Sequence, residues 1–113
     1  MIGIINLETS NLSSVINAMN FINSRFLIIK TTEDLKKVDK IILPGVGTFG
    51  DGIKSLHNQN LYDEIIEEVQ KNKKPILGIC LGLQLFFEKS EESNNVKGLG
   101  LIEGRVKKLS ESD

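Results

Sequence analysis

With one cysteine, Cys80, the chain cannot close an internal disulfide. With one histidine, His57, it has two soft ligands in all, too few to predict a metal site. No apolar run approaches the roughly 20 residues that a membrane-crossing helix requires. The opening residues Met1-Ile2-Gly3-Ile4-Ile5-Asn6 have neither the basic flank nor the long apolar stretch of a secretion signal. Together these absences predict a cytoplasmic protein. An excess of charge of one sign is missing too: 14 Lys and Arg stand against 15 Asp and Glu, a net charge of -1 that gives no field for gathering nucleic-acid phosphates. Repeats and low-complexity tracts are lacking, and nothing in the composition asks for a cofactor.

What is present suits one domain: 113 residues of which 40% are hydrophobic can fill a single core. Short apolar runs bounded by turn residues alternate with segments of helical period. That alternation predicts an α/β fold, an open parallel sheet with helices on both faces. Ile2 to Ile5 reads as a first strand, followed by a helix carrying Leu12, Val15, Ile16, Met19 and Ile22, with Asn11 as its N-cap. Phe26 to Ile29 is the second strand, and Thr32-Glu33-Asp34-Leu35 starts a short helix. Lys40-Ile41-Ile42-Leu43 is the third strand, expected to stop at Pro44-Gly45. Leu61, Ile65, Ile66 and Val69 mark a further helix, with Lys71, Lys73 and Lys74 set against the negative end of its dipole. Pro75 to Ile79 is the fourth strand, and Leu83, Phe86 and Phe87 begin a helix after Cys80. Ser93-Asn94-Asn95 reads as a loop, Gly98-Leu99-Gly100-Leu101 as a turn, and Val106 to Leu109 as an outer strand.

In such a sheet, ligands gather beyond the carboxyl ends of the strands. Gly78-Ile79-Cys80-Leu81-Gly82 lies there, between a strand and a helix. Glycines flanking a nucleophile permit the sharp bend that lifts a side chain over the sheet, which makes Cys80 a candidate nucleophile. The amide of Leu81 then faces an oxyanion formed when sulfur attacks a carbonyl, and Pro44-Gly45-Val46-Gly47 beside it supplies a second amide, that of Gly47. The same glycine-rich stretch lacks the Gly-Lys-Ser/Thr ending of a phosphate-binding loop. His57 falls on the exposed side of a helix away from the elbow and is a poor candidate for the base. Gly98-Leu99-Gly100 lacks the full dinucleotide fingerprint.

Four stretches carry a family resemblance: Leu43-Pro44-Gly45-Val46-Gly47-Thr48-Phe49-Gly50, the run from Gly78 to Glu88 through Cys80, Ser90-Glu91-Glu92, and Lys97-Gly98-Leu99-Gly100-Leu101-Ile102-Glu103-Gly104. Together they resemble the class I glutamine amidotransferases, and more narrowly the glutaminase subunits of imidazole glycerol phosphate synthases in histidine biosynthesis. The resemblance implies a flavodoxin-like class I amidotransferase fold, with residues 1–113 the N-terminal part of a single domain truncated at its C-terminus. It implies that Cys80 attacks the side-chain amide of L-glutamine, that Leu81 and Gly47 form the oxyanion hole, and that Gln84 and Glu92 hold the substrate. It further implies a heterodimer with a (β/α)8-barrel cyclase subunit that consumes the ammonia.

Two departures stand out. The family's catalytic histidine and glutamate lie in a C-terminal stretch that this sequence does not contain, so the resemblance implies a fragment or truncated frame, inactive or weak alone. Asn6-Leu7-Glu8-Thr9-Ser10-Asn11 also replaces a glycine-rich loop, keeping only Asn11 of the pattern. That change suggests a paralogue feeding ammonia to amino-sugar or surface-polysaccharide synthesis, and the missing base suggests a non-catalytic binding remnant.

Overall fold

The computed structural model describes residues 1–8, 12–93 and 95–109. In chain order the elements are β1 (Ile2–Ile5), α1 (Ser13–Phe21), β2 (Phe26–Ile29), α2 (Thr32–Lys37), β3 (Lys40–Gly45), α3 (Phe49–Asn58), α4 (Tyr62–Gln70), β4 (Ile76–Cys80), α5 (Leu81–Gln84), β5 (Lys89–Ser90) and β6 (Arg105–Val106). The first four strands form one parallel sheet in the order β2-β1-β3-β4, and β5 and β6 pair in parallel as a separate ribbon. This is the expected α/β arrangement, with the sheet order reversing direction at β1.

Side chains alternate across a strand, so each strand serves two faces. On one face Ile5, Ile29, Ile41 and Leu43 meet Leu35 of α2, Phe49, Ile53 and Leu56 of α3, Ile65 of α4 and Leu81 of α5 in one buried cluster. Gly3 points the same way and has no room for more: a Cβ there would sit 2.7 Å from Ile29 Cδ1 and Val38 Cγ2. Ile4 and Met19 are buried outside this cluster, on the face under α1. That second face is thinly covered beyond β3, where Leu77 and Ile79 of the edge strand β4 are 57% and 37% exposed.

The loop after β1 is stitched to α3 through a buried hydroxyl. Ser55 Oγ accepts from the Glu8 amide and from Gln59 Nε2, each at 3.0 Å, and Gln59 Nε2 also donates to the Asn6 carbonyl at 2.8 Å. At the start of α2, Thr31 Oγ1 accepts from the Asp34 amide while Asp34 Oδ2 accepts from the Thr31 amide, both at 3.2 Å, a reciprocal cap.

Several expectations change. β3 does not stop at Pro44: Pro44 pairs with Ile79 and Gly45 with Cys80. The missing proline N–H does no harm there, because the described pairing of β3 with β1 ends at Ile42. The lysines after α4 close it through their backbone, Lys71 at the capping position with its amide on the Glu67 carbonyl and the Lys74 amide on the Glu68 carbonyl, while their side chains go further afield. Lys71 pairs with Glu67 at 3.7 Å, whereas Lys74 Nζ donates to the carbonyls of Leu35 and Lys36 at 3.0 and 3.2 Å, at the end of α2, and pairs with Glu68 at 2.6 Å. The helix after Cys80 is a single turn, so Phe86 and Phe87 lie past its end. The stretch from Gly98 is not an isolated turn but runs along 85–88, with Gly98, Leu99, Gly100 and Ile102 amides donating to the carbonyls of Glu88, Leu85, Phe87 and Phe86. The outer strand spans only Arg105–Val106 and leaves the main sheet. The expected cap Asn11 lies outside the described residues, and Leu12 occupies the capping position of α1. Asn94 in the expected loop is likewise outside them. Among the described residues no helix is long and apolar enough to cross a membrane.

Candidate active site

The elbow is built from strain and close packing. Cys80 has φ 55° and ψ -120°, a backbone conformation that a residue with a Cβ adopts only when its surroundings enforce it. The enforcement comes from the flanking glycines. A Cβ on Gly82 would lie 1.7 Å from the Leu43 carbonyl oxygen, and one on Gly78 would lie 2.6 Å from the Leu83 Cα. α5 therefore presses against the backbone of β3 and back onto β4, and the chain turns sharply between them. The thiol emerges exposed at the carboxyl end of β4.

The partner strand brings the second glycine-rich stretch alongside. Gly45 pairs with Cys80 in register, and a Cβ on Gly45 would stand 3.5 Å from the Gly82 nitrogen and from Leu81 Cβ. Val46 and Gly47 thus leave the sheet beside the elbow, with Gly47 at φ 108°, in the region that favours glycine. Leu81 is the first residue of α5, and its side chain is anchored in the core at 4% exposure. Both expected oxyanion amides hence belong to segments adjoining Cys80.

Gln84 and Glu92 meet in one cavity of about 460 Å³, whose lining also includes Ser90, Glu91, Lys107 and Lys108. Gln84 closes the single turn that Cys80 opens. Cys80, Leu81 and Gly47 are not part of that lining. Glu92 is not a free acidic loop residue: its Oε1 accepts from the Phe49 amide at 2.7 Å, at the start of α3. Sequence reasoning missed Ser90, Lys107 and Lys108, which reach the cavity only because β6 pairs with β5, a contact that no local pattern announces.

His57 belongs elsewhere. Its ring stacks on Tyr62 with centroids 4.2 Å apart, and it borders a different cavity together with Gly50, Ile53, Lys54, Asn95, Val96 and Lys97. No elbow residue lines that cavity.

A sequence profile of the SNO glutamine amidotransferase family matches residues 7–111. The chain belongs to this family. Among its relatives, the imidazole glycerol phosphate synthase subunit HisH 1 of Campylobacter jejuni (strain 81-176) is 45% identical over 111 residues, spanning 98% of this chain and 55% of the relative. The HisH subunit of Helicobacter hepaticus is 50% identical over 115 residues, spanning 93% of this chain and 52% of the relative. A crystal structure of a glutamine amidotransferase superposes with a TM-score of 0.80 at 19% identity, over 94% of this chain and 55% of the other, a likeness of fold. The amidotransferase family thus accounts for nearly all of these residues, while the chain spans about half the length of the relatives it matches.

Proposed function

We propose that this chain is the nucleophile-bearing part of a glutaminase that delivers ammonia to a partner synthase. The observation that carries the reading is the strained Cys80 at φ 55°, held by a glycine that packs against the Leu43 carbonyl. Strain of this kind, costing about 1–3 kcal/mol, persists where chemistry needs a side chain projected from a turn. The Cys80 thiolate attacks the side-chain carbonyl carbon of L-glutamine, and the oxygen takes the negative charge opposite the Leu81 and Gly47 amides. Collapse of that intermediate breaks the C–N bond. The nitrogen leaves as ammonia after gaining a proton, and water then cleaves the glutamyl thioester to glutamate and regenerates the thiol. Gln84 and Glu92 orient the amino-acid end of the substrate, Glu92 through the charge of the ammonium group.

The relatives' names, as subunits of imidazole glycerol phosphate synthase, favour another subunit of such a synthase as partner, and the family resemblance implies that it is a (β/α)8-barrel cyclase that consumes the ammonia. The reaction needs a base that accepts the thiol proton, and His57, stacked on Tyr62, does not serve. The family resemblance implies a histidine for this role in the portion of the domain that the relatives have in addition. A second reading, a binding module that keeps the elbow without turnover, is favoured by the placement of His57 away from Cys80.

A chloroketone analogue of L-glutamine separates the two. The expected result is covalent modification of Cys80, found by mass spectrometry of the digested protein, prevented by excess L-glutamine and absent in Cys80→Ala. Glutamate production should rise by orders of magnitude when the chain is extended through its downstream reading frame and mixed with the barrel subunit. Analogue labelling no faster than that of a simple thiol, with no turnover in either form, would leave the binding module standing.

A further inference from the structure

The first four amides of a helix need partners from outside the helix. In α3 the Asp51 amide is met locally, donating to Thr48 Oγ1 at 3.1 Å, and the helical ladder itself begins with the Gly52 amide on the Thr48 carbonyl at 3.0 Å, which leaves the amides of Phe49 and Gly50. These two are met by a segment 43 residues further on. Phe49 donates to Glu92 Oε1 at 2.7 Å and Gly50 donates to Ser93 Oγ at 3.1 Å. That segment is itself braced, since the Glu92 amide donates to Ser90 Oγ at 3.2 Å and the Ser93 amide to the Ser90 carbonyl at 3.1 Å, with Ser90 buried. The Phe49 side chain is fully buried in the core. Only Thr48 separates Phe49 from Gly47, so whatever holds the first amides of α3 also sets where the Pro44–Gly47 stretch leaves the sheet.

We infer that Glu92 is a positioning residue: its carboxylate, with the Ser93 hydroxyl, pins the start of α3 and thereby holds the Gly47 amide in place beside Cys80. A carboxylate at a helix N-terminus is favoured by the helix dipole as well as by the hydrogen bond. Glu92 also borders the cavity it shares with Gln84, so one residue touches both the substrate space and the oxyanion segment. A ligand ammonium that binds Glu92 there immobilises the carboxylate and tightens its hold on Phe49. The proposal rests on the glutaminase reading for the role of Gly47, and not for the pinning itself.

Backbone amide hydrogen exchange on this chain, followed by NMR in the native protein, Glu92→Gln, Glu92→Ala and Ser93→Ala, tests the pinning directly. In Glu92→Ala the Phe49 amide should exchange roughly tenfold to a hundredfold faster, the loss expected for a hydrogen bond to a charged acceptor. Glu92→Gln, which keeps an acceptor oxygen, should restore most of the protection. Core amides such as that of Ile65 should be unaffected, and Ser93→Ala should loosen Gly50 in the same selective way. A second readout is the rate of Cys80 modification by the glutamine chloroketone divided by its rate with iodoacetamide. Only the first reagent develops an oxyanion, so the ratio should fall in Ser93→Ala, which leaves the Glu92 carboxylate available to the ligand ammonium. If Phe49 exchanges equally in the native protein and Glu92→Ala, the pinning is refuted. If Glu92→Ala unfolds outright, unchanged Gly50 exchange in Ser93→Ala refutes it instead. If exchange responds as expected but the native chain shows no preference for the chloroketone, the pinning stands and the glutaminase reading falls.

Discussion

Replacing Lys74 with alanine should destabilise the chain by about 3 kcal/mol, because it strips a buried carboxylate of its counter-charge. Glu68 is 4% exposed, and Lys74 Nζ lies 2.6 Å from its Oε2, while Asn72 Nδ2 donates to Oε1 at 3.1 Å. Breaking a buried pair from one side costs about 3–5 kcal/mol. The low end applies because this pair lies at the end of α4, with the Lys74 side chain 16% exposed, rather than in the centre of the core. The same ammonium also satisfies the Leu35 and Lys36 carbonyls, so α2 loses its tie to α4 as well. Against a total stability of about 5–15 kcal/mol for a domain, the loss is large, and it lowers the melting temperature by roughly 10–15 °C. Burial by itself would raise the Glu68 pKa, but the Lys74 and Asn72 hydrogen bonds and the Lys74 charge outweigh it and hold the carboxyl below its ordinary value of 4.5. A depressed carboxylate adds stability above its unfolded pKa and loses it as pH falls through the folded one. The gap between native and Lys74→Ala should hence be full at neutral pH and close below about pH 4.5. Urea denaturation at a series of pH values measures it. Pairing Lys74→Met with Glu68→Leu should recover most of the loss at neutral pH. A gap under about 1 kcal/mol, or one that does not change with pH, would refute this account of the pair.

Two further outcomes follow from the elbow and the sheet edge. Gly82→Ala should cost about 3 kcal/mol or more, since its Cβ would meet the Leu43 carbonyl at 1.7 Å and neither backbone can yield, whereas Gly100→Ala, with open space around it but φ 67°, should cost about 1 kcal/mol. Equal melting temperatures for the two variants would contradict the close packing. The side of β4 that pairs with no strand among the described residues, with Leu77 57% exposed, should make the chain self-associate as its concentration rises, and Leu77→Lys should suppress this with little change in melting. Light scattering that shows a monomer at every concentration would remove the edge as a cause.

What could be read along the chain was what local rules determine. β1, β2 and the elbow follow from runs of aliphatic residues and from glycines at fixed offsets, and the structure places them as expected. β3 ran two residues further than its proline suggested, because the restriction on proline is lifted where a strand has lost one neighbour. Lys74 shows a similar limit: its place at the end of α4 is a local signal and the structure keeps it there, paired with Glu68, but the carbonyls its ammonium also reaches belong to a segment 38 or 39 residues earlier. Gln84 and Glu92 were identified as a pair through resemblance, and they do share a cavity, yet the bond between Glu92 and Phe49 had no trace in spacing or composition. The brevity of α5 was hidden as well, because Phe86 and Phe87 continue an apolar pattern after the helix has ended.

The backbone of Cys80 has an evolutionary consequence. A side chain at φ 55° and ψ -120° is a standing cost to stability, and glycine at the same place would remove it. Cysteine and glycine codons differ by a single nucleotide, so mutation offers that relief in every generation. A lineage that had stopped using the sulfur would gain stability from the change and lose nothing. Cys80→Gly should therefore raise the melting temperature while removing the sulfur, so at this one residue the stability of the fold and the presence of the thiol pull in opposite directions.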